Sequence, residues 1–295
     1  MTREEIFKKL YDEDEVYRSP IESGSALLEV TKGCSWGKCL FCDFIRDKKE
    51  LLPPERIEEK IELLSKVIDG NERLYFLGCN PFCLDSGILM YIMDLVHRNL
   101  PSVRTVSMYA RADDVNRKSD EELIMLNRAG IRELHIGIES GSDRILKFHN
   151  KGETAEELKT AFDRLDRFGY FYHVTVIPGL GGRKLSHEHA VMTAKLLSSI
   201  NPVSIWCIML KLWPGTPLYS IWERGGFDQM TPGEVLLEER EMLKLMDMKN
   251  PCLYTDSTVL NKYTILGELP EQKDILIKSI DKLLSEEDVL NKKHN

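Results

Sequence analysis

The chain has 295 residues and a formal net charge of −8, with 42% hydrophobic and 30% charged residues. This balance is typical of a globular protein, and the length allows one large domain with an appendage or two small domains. No apolar run approaches the roughly 20 residues that a membrane helix needs, the charged start MTREEIFKKLYDEDE is unlike a secretory signal, and the acidic balance does not favour nucleic acid. We therefore predict a cytoplasmic protein without a membrane or nucleic-acid partner.

Six short apolar segments alternate with helical segments in the first 220 residues. The segments are 26–31, 74–77, 103–108, 134–138, 173–177 and 204–209. Segments that are apolar throughout are typical of parallel strands whose outer face is covered. Between them, Pro53-Pro54 and the capping-box patterns at Ser119–Glu122 and Thr154–Glu157 indicate the starts of helices.

This alternation predicts an α/β fold with a parallel sheet and right-handed crossovers. Six strand–helix units correspond to a partial (β/α)6 barrel of the TIM type. We expect an N-terminal extension at 1–24, the barrel core at 25–220 and a mostly helical C-terminal appendage at 221–295, which is interrupted by an irregular stretch at 251–269.

The seven cysteines indicate metal or redox chemistry, because disulfides are rare in cytoplasmic proteins. Cys34, Cys39 and Cys42 directly follow the first predicted strand, on a loop that contains glycine. Ligand-binding loops gather at this end of parallel strands. Three thiolates so close in sequence can hold a [4Fe–4S] cluster and leave one iron without a protein ligand.

Two other kinds of site use similar cysteines. Plant-type [2Fe–2S] ferredoxins have the same four-then-two spacing and a distant fourth cysteine, for which Cys79 is available. Those proteins have no strand–helix repeat. A structural zinc site uses four close nitrogen or sulfur ligands, usually as two Cys-x-x-Cys pairs, and the cluster contains one such pair, Cys39 and Cys42. The [4Fe–4S] interpretation is therefore favoured.

The cysteine loop resembles that of the radical S-adenosylmethionine (SAM) superfamily, specifically the branch of elongator-type and oxygen-independent coproporphyrinogen-oxidase-like proteins. The resemblance covers about residues 25–220 and includes Phe41 just before the last cysteine. The usual spacing is three then two residues, whereas this chain has CX4CX2C. The resemblance implies a metal-binding, anaerobic enzyme whose [4Fe–4S] cluster reductively cleaves SAM to methionine and a 5′-deoxyadenosyl radical, which abstracts hydrogen from a substrate.

The resemblance also implies which residues contact SAM. The turn that binds the SAM amino group corresponds to Gly78–Asn80, the polar pair after the fourth strand to Glu139 and Ser140, and the carboxylate-binding basic residue to Lys151. Tyr109 and Thr175 occupy positions where members of this branch have acidic residues near the ribose. The complete implied set is Phe41, Gly78, Cys79, Asn80, Tyr109, Glu139, Ser140, Lys151, Thr175 and Gly179.

Three further residues are candidates for a role in catalysis. Cys79 and Cys83 follow the second strand, where a thiol could act as a nucleophile or, with Cys252, bind a second metal; the alternative is apolar packing. Arg111 could hold a carboxylate of SAM or of the substrate. The alternative is that Arg111 forms an ion pair with Asp113 or Asp114.

The remaining polar residues are interpreted as structural. We expect His135 and His173 at the starts of strands, His187 and His189 in surface or capping roles, and Cys207 in the core. The expected partners are a small-molecule substrate and an external one-electron reductant of the flavodoxin or ferredoxin class. The reaction outcome (oxidoreductase, lyase or transferase) stays open. The alternative function is iron–sulfur or haem trafficking, or electron transfer, on the same scaffold without turnover.

Overall fold

The computed structural model describes residues 2–12, 18–43, 49–68, 70–256 and 263–286. The chain divides into two compact units. The first comprises residues 1–37, 44–136 and 164–171, and the second comprises residues 38–43, 137–163 and 172–295. The end of the predicted C-terminal appendage, 287–295, lies outside the described residues.

The described residues form helices and strands in alternation. The helices are α1 (Arg3–Leu10), α2 (Pro54–Leu64), α3 (Ser86–Asn99), α4 (Ala112–Arg117), α5 (Asp120–Arg128), α6 (Asp143–Phe148), α7 (Ala155–Arg167), α8 (Gly182–Leu197), α9 (Pro217–Glu223), α10 (Pro232–Leu245) and α11 (Lys273–Ser285). The strands are β1 (Ala26–Glu29), β2 (Thr31–Lys32), β3 (Glu50–Leu51), β4 (Arg73–Leu77), β5 (Thr105–Ala110), β6 (Ile131–Glu139), β7 (Phe171–Val176), β8 (Ser204–Cys207), β9 (Cys252–Asp256) and β10 (Ile265–Leu269).

The main sheet has eight strands, and their order follows the chain from β1 and β4 to β10. In the first unit, β1, β4, β5 and β6 are parallel neighbours. Leu74, Tyr75 and Phe76 of β4 are fully buried, as expected for a parallel strand that is covered on both faces. The prediction of an α/β fold with parallel strands is confirmed.

The second unit contains an antiparallel strand pair, β9 and β10, that the sequence did not indicate. Strand β8 is parallel to β7 and β9, whereas β10 runs antiparallel to β9. The prediction of an irregular stretch at 251–269 is therefore wrong for Cys252–Asp256 and Ile265–Leu269, and residues 257–262 lie outside the described residues. Buried and exposed residues alternate along β10, so this strand is covered on one face only. Gly267 occupies one of its buried positions, where an apolar residue would have marked the strand.

Both predicted capping boxes are present at the helix starts. The Glu122 N–H donates to the Ser119 hydroxyl (3.1 Å), and the Ser119 N–H donates to the Glu122 carboxylate (2.7 Å). Thr154 and Glu157 make the same reciprocal pair, at 3.2 and 2.8 Å. These bonds satisfy amide groups that have no partner inside the helix, and they fix where α5 and α7 begin. No helix among the described residues has the length and apolar character to cross a bilayer.

Candidate functional site

The segment that carries Cys39 and Cys42 is bound to other parts of the second unit through its backbone. The Leu40 N–H donates to the His149 carbonyl oxygen, and the Leu40 carbonyl oxygen accepts from the Leu218 N–H, both at 2.9 Å. The Phe41 ring packs edge-on against the His149 imidazole at 5.6 Å. This fully buried imidazole donates through Nε2 to the Leu180 carbonyl oxygen at 2.7 Å, and burial lowers its pKa to about 4. A neutral histidine therefore packs against the aromatic residue between the two cysteines.

The segment that carries Cys34 belongs to the first unit and follows β2. Its neighbour Ser35 accepts a hydrogen bond from Asn80 Nδ2 at 2.7 Å, and the Trp36 ring lies 5.0 Å from the Arg111 guanidinium carbon. Asn80 also donates to Asp114 at 2.5 Å. Side chains that follow β4 and β5 therefore hold the chain next to Cys34.

The three cysteines are chemically suited to bind a cluster. Cys34, Cys39 and Cys42 are each partly exposed, and none forms a disulfide; cysteine sulfur is a soft ligand that suits iron. Within the described ranges, no three Cys, His, Asp or Glu side chains are grouped as metal ligands. The assignment of the cluster to these three residues stays a prediction.

The turn after β4 has the geometry of a backbone cradle in the first unit. Gly78 has φ 139°, and a Cβ there would collide with the Thr31 hydroxyl and lie 2.8 Å from the Thr31 carbonyl oxygen, so no larger residue fits. Asn80 is 2% exposed, and among the described residues its Oδ1 accepts no hydrogen bond. A buried acceptor in a glycine turn suits the predicted role of Gly78–Asn80 in binding an amino group.

Tyr109 lies near the end of β5, and Arg111 directly follows this strand. Arg111 Nε is 2.9 Å from Asp113 Oδ1, so the ion-pair alternative is present in the structure, beside the stacking on Trp36. Tyr109 packs edge-on against Tyr75 and His135, with ring centroids 5.9 and 5.8 Å apart. Neither observation tests the predicted contact of Tyr109 with the SAM ribose.

His135 is structural, but its predicted position is wrong. It lies in the middle of β6, because this strand begins at Ile131 rather than at Leu134. Its Nε2 is 2.8 Å from Glu22 Oε1, and Glu22 is fully buried. The sequence hid the first residues of this strand, because Ile131 is buried but is followed by the polar Arg132 and Glu133, so that the apolar run starts only at Leu134.

The end of β6 in the second unit carries a buried group of charges. Lys151 is 6% exposed, and its Nζ lies 3.4 Å from Glu139 Oε1 and 3.5 Å from Glu153 Oε2. Glu139 has φ 58°, a conformation that residues other than glycine and asparagine rarely adopt. Ser140 is fully buried, and its hydroxyl accepts from the Ser142 N–H at 3.1 Å. The predicted SAM residues Glu139 and Lys151 are therefore in direct contact with each other.

The turn after β7 contains Gly179, whose N–H donates to Glu238 Oε1 at 2.7 Å. Thr175 is half-buried on β7 and pairs with Trp206 in the register of β8. The prediction of a surface or capping role for His189 is wrong. His189 is 1% exposed, with Nδ1 2.8 Å from Glu238 Oε1 and Nε2 3.2 Å from the Glu139 carbonyl oxygen. His187 is exposed, as predicted, and pairs with Glu241.

Glu238 is a residue that the sequence analysis missed. It lies on α10 in a segment rich in glutamate, and such a segment is usually a solvated helix face. Glutamate content alone does not separate Glu238, which is 3% exposed, from Glu241, whose side chain is 39% exposed. The only available hint was that the helical period places Val235, Glu238 and Met242 on one face.

The other candidate cysteines lie in different surroundings. Cys83 lines a polar cleft of the first unit beside Lys118, whose Nζ donates to the Leu84 carbonyl oxygen at 2.8 Å and whose pKa is lowered by burial. Cys252 is buried in β9, and burial raises the pKa of its thiol to about 12. Cys207 is fully buried in β8, as predicted. Within the described residues, Cys79, Cys83 and Cys252 belong to no group of metal ligands.

Two solved structures share the fold at low sequence identity. Coproporphyrinogen III oxidase (HemN) from Escherichia coli aligns with a TM-score of 0.55 and 16% identity, over 75% of this chain and 52% of that chain. Elp3 from the archaeon Methanocaldococcus infernus aligns with a TM-score of 0.53 and 16% identity, over 88% and 63%. These likenesses concern the fold, and they confirm the predicted partial barrel.

Curated relatives are also recognisable from sequence. The heme chaperone HemW of Bacillus subtilis is 25% identical over 219 residues, which are 72% of this chain and 56% of the relative. A tRNA-2-methylthio-N(6)-dimethylallyladenosine synthase of Bordetella avium is 22% identical over 281 residues, 91% and 56% respectively. The chain thus spans about half the length of the curated relatives it matches. These proteins and the structural neighbours fit the predicted branch.

The sequence pattern of the radical SAM superfamily matches residues 28–197 of this chain, which is more than half of its length. This range contains the cysteine loop, the Gly78–Asn80 turn, the Glu139–Lys151 contact and Gly179. Proteins of this superfamily bind a [4Fe–4S] cluster and SAM, and the available thiols and the buried acceptor at Asn80 fit these groups. The chain belongs to the radical SAM superfamily, and its cofactors are a [4Fe–4S] cluster and S-adenosylmethionine.

Proposed function

We propose that the chain is a radical SAM enzyme in which Cys34, Cys39 and Cys42 hold the [4Fe–4S] cluster. When bound, the cluster and SAM supply one-electron cleavage of SAM and abstraction of a hydrogen atom from a substrate. The observation that best supports this function is the loop of Cys39 and Cys42, which lies within the matched range and is held by backbone hydrogen bonds at Leu40.

The residues of the chain have separate tasks in this proposal. The Gly78–Asn80 turn receives the SAM amino group, because it combines a close backbone approach with the buried Asn80 Oδ1. Lys151 receives the SAM carboxylate, because its ammonium group is buried and keeps carboxylate oxygens at 3.4 and 3.5 Å. Phe41, Ser140, Thr175 and Gly179 complete the proposed contacts, and Tyr109 is the proposed neighbour of the ribose.

We place the protein in the cytoplasm, with a flavodoxin or ferredoxin as electron donor and a small molecule as substrate. Members of the superfamily use a reductant and small substrates. Arg111 is the proposed contact for a substrate carboxylate, because its guanidinium is buried, ordered by Asp113 and stacked on Trp36. Cys79 and Cys83 are the proposed substrate-side thiols, since both are partly exposed.

The test is production of 5′-deoxyadenosine by protein reconstituted anaerobically with iron and sulfide. With SAM and dithionite, the wild-type protein is expected to form 5′-deoxyadenosine, and Cys39→Ala is expected to form none, because it removes one of the three iron ligands. Cys207→Ala is the matched control, since this thiol is buried in β8 and pairs with Tyr254. Loss of product in both variants, or retention in both, would contradict the ligand assignment.

A second candidate function is haem trafficking without turnover, which the similarity to the heme chaperone of Bacillus subtilis favours. It predicts that wild-type protein takes up about four irons and binds haem, but forms no 5′-deoxyadenosine. A haem titration followed by absorbance, on the same reconstituted sample, separates the two functions.

A further inference from the structure

A buried histidine–carboxylate pair joins α8 to α10 within the second unit. His189 Nδ1 lies 2.8 Å from Glu238 Oε1, and His189 Nε2 lies 3.2 Å from the carbonyl oxygen of Glu139. A carbonyl oxygen only accepts hydrogen bonds, so His189 Nε2 is the donor to Glu139, and the other ring nitrogen is paired with the Glu238 carboxyl group. Burial alone would lower the pKa of His189, but the charge and hydrogen bond of Glu238 raise it.

The same carboxylate also holds the turn that follows β7. Glu238 Oε1 accepts from the Gly179 N–H at 2.7 Å, and Val235, one turn earlier on α10, would lie 3.3 Å from a Cβ at Gly179. Helix α10 therefore packs directly against this turn. One oxygen of Glu238 is shared by a backbone amide and an imidazole, and neither of these groups is exposed to water.

The His189 side of the pair acts on the turn that follows β6. The carbonyl oxygen of Glu139 accepts from His189 Nε2 and also from the Ile177 N–H, at 3.1 Å. Glu139 has φ 58°, and a left-handed conformation at such a residue persists only where the surroundings hold it. The two hydrogen bonds to its carbonyl are contacts that hold this conformation.

We propose that His189 and Glu238 are positioning residues for SAM, through which the C-terminal helix α10 sets the turns at Glu139 and Gly179. The inference rests on the proposed function, which places SAM contacts on these two turns. Helix α10 lies outside the range 28–197 that matches the superfamily, so Glu238 has no counterpart in the matched pattern. In this proposal, helix α10 of the predicted C-terminal appendage supports the two SAM-binding turns.

The chain contains a matched control for this pair. His187 Nδ1 lies 2.7 Å from Glu241 Oε1 and joins the same two helices, but the side chains are 79% and 39% exposed. Neither residue has a hydrogen bond to the turns at Glu139 and Gly179 among the contacts that the structure describes. The two pairs share their chemistry and their helices, and they differ in burial and in what they hold.

The experiment compares Glu238→Ala, Glu238→Gln and Glu241→Ala in reconstituted protein. It measures the dissociation constant of SAM by anaerobic equilibrium dialysis, and hydrogen exchange of the peptide that contains Gly179. Glu238→Ala is expected to weaken SAM binding by about tenfold or more, because two hydrogen bonds to a charged group are lost, and to release the Gly179 amide to exchange. Glu238→Gln should have a SAM affinity between those of Glu238→Ala and the wild type, since its amide oxygen still accepts hydrogen bonds. Glu241→Ala should have the SAM affinity of the wild type.

Several outcomes would overturn the inference. Wild-type SAM affinity in Glu238→Ala, with only a lower melting temperature, would reduce the pair to a packing contact between helices. An equal loss of affinity in Glu241→Ala would point to the helix interface in general. If Glu238→Ala does not fold, His189→Gln decides by the same two measurements. If the protein binds SAM but makes no 5′-deoxyadenosine, the proposed function is contradicted. The comparison of SAM affinity between the variants still tests the role of Glu238.

Discussion

Two groups of buried carboxylates in the second unit differ in what balances their charge. At the end of β6, Glu139 and Glu153 lie on either side of the Lys151 ammonium, at 3.4 and 3.5 Å. Under α10, Glu239 and Asp256 are fully buried, and the neighbour of Glu239 is the Tyr254 hydroxyl, which donates to Oε1 at 2.7 Å. The first group contains a cation, and the second contains neutral hydroxyl and thiol groups.

The difference shows two ways of keeping carboxylates inside a protein. A neighbouring lysine balances the negative charge of buried carboxylates. A carboxyl group that lacks a counter-charge is buried at lower cost in its protonated form. Burial raises the pKa of both Glu239 and Asp256. The charged group lies in the matched superfamily range, and the protonated group lies in the C-terminal segment.

The largest expected effect comes from removing the cation of the first group. We expect Lys151→Met to lower the free energy of unfolding by about 3 to 5 kcal/mol, because two buried carboxylates lose their ammonium neighbour. Urea unfolding at pH 7 measures this change. Lys147→Met on α6 is the control, since Lys147 is exposed. A loss of less than about 1 kcal/mol would mean that the carboxylates of this group are balanced in another way.

A smaller effect is expected from the second group, and it depends on pH. Glu239 and Asp256 keep their protons to a higher pH in the folded chain than in the unfolded chain. Raising the pH above about 4 therefore favours the unfolded state, by up to about 1.4 kcal/mol per pH unit for each group. Asp256→Asn cannot ionise. We expect its stability relative to the wild type to rise between pH 5 and pH 8, by up to about 4 kcal/mol over these three pH units.

Thermal unfolding at pH 5 and pH 8 tests this sign directly. If Asp256→Asn were equally destabilised at both values, Asp256 would be ionised in the folded protein, and the contrast between the two groups would disappear. Glu268→Gln is a suitable control, because Glu268 is exposed on the neighbouring strand β10.

The smallest expected effect is at the exposed pair of His187 and Glu241. An exposed ion pair contributes little to stability, so His187→Gln should change the free energy of unfolding by less than about 1 kcal/mol. Urea unfolding at pH 7 measures this change. A loss comparable to that of Lys151→Met would show that exposed pairs matter as much as buried ones in this chain.

Local sequence patterns predicted most of the fold and part of the site. The capping boxes at Ser119 and Thr154 and the apolar run of β4 involve residues close together in the chain, so their interactions follow from spacing alone. The three cysteines are likewise a local motif. Their role as iron ligands, and the proposed SAM contacts, stay predictions.

The sequence by itself determined the elements whose signal is local, which are the cysteine loop, the parallel strands and the helix starts. Only the tertiary structure decided the burial of His189 against Glu238, which are 49 residues apart, and the addition of β9 and β10 to the sheet. Glu238 and Glu241 are residues of the same type on the same helix. Their difference comes from which helix face is covered, and packing between distant segments sets this.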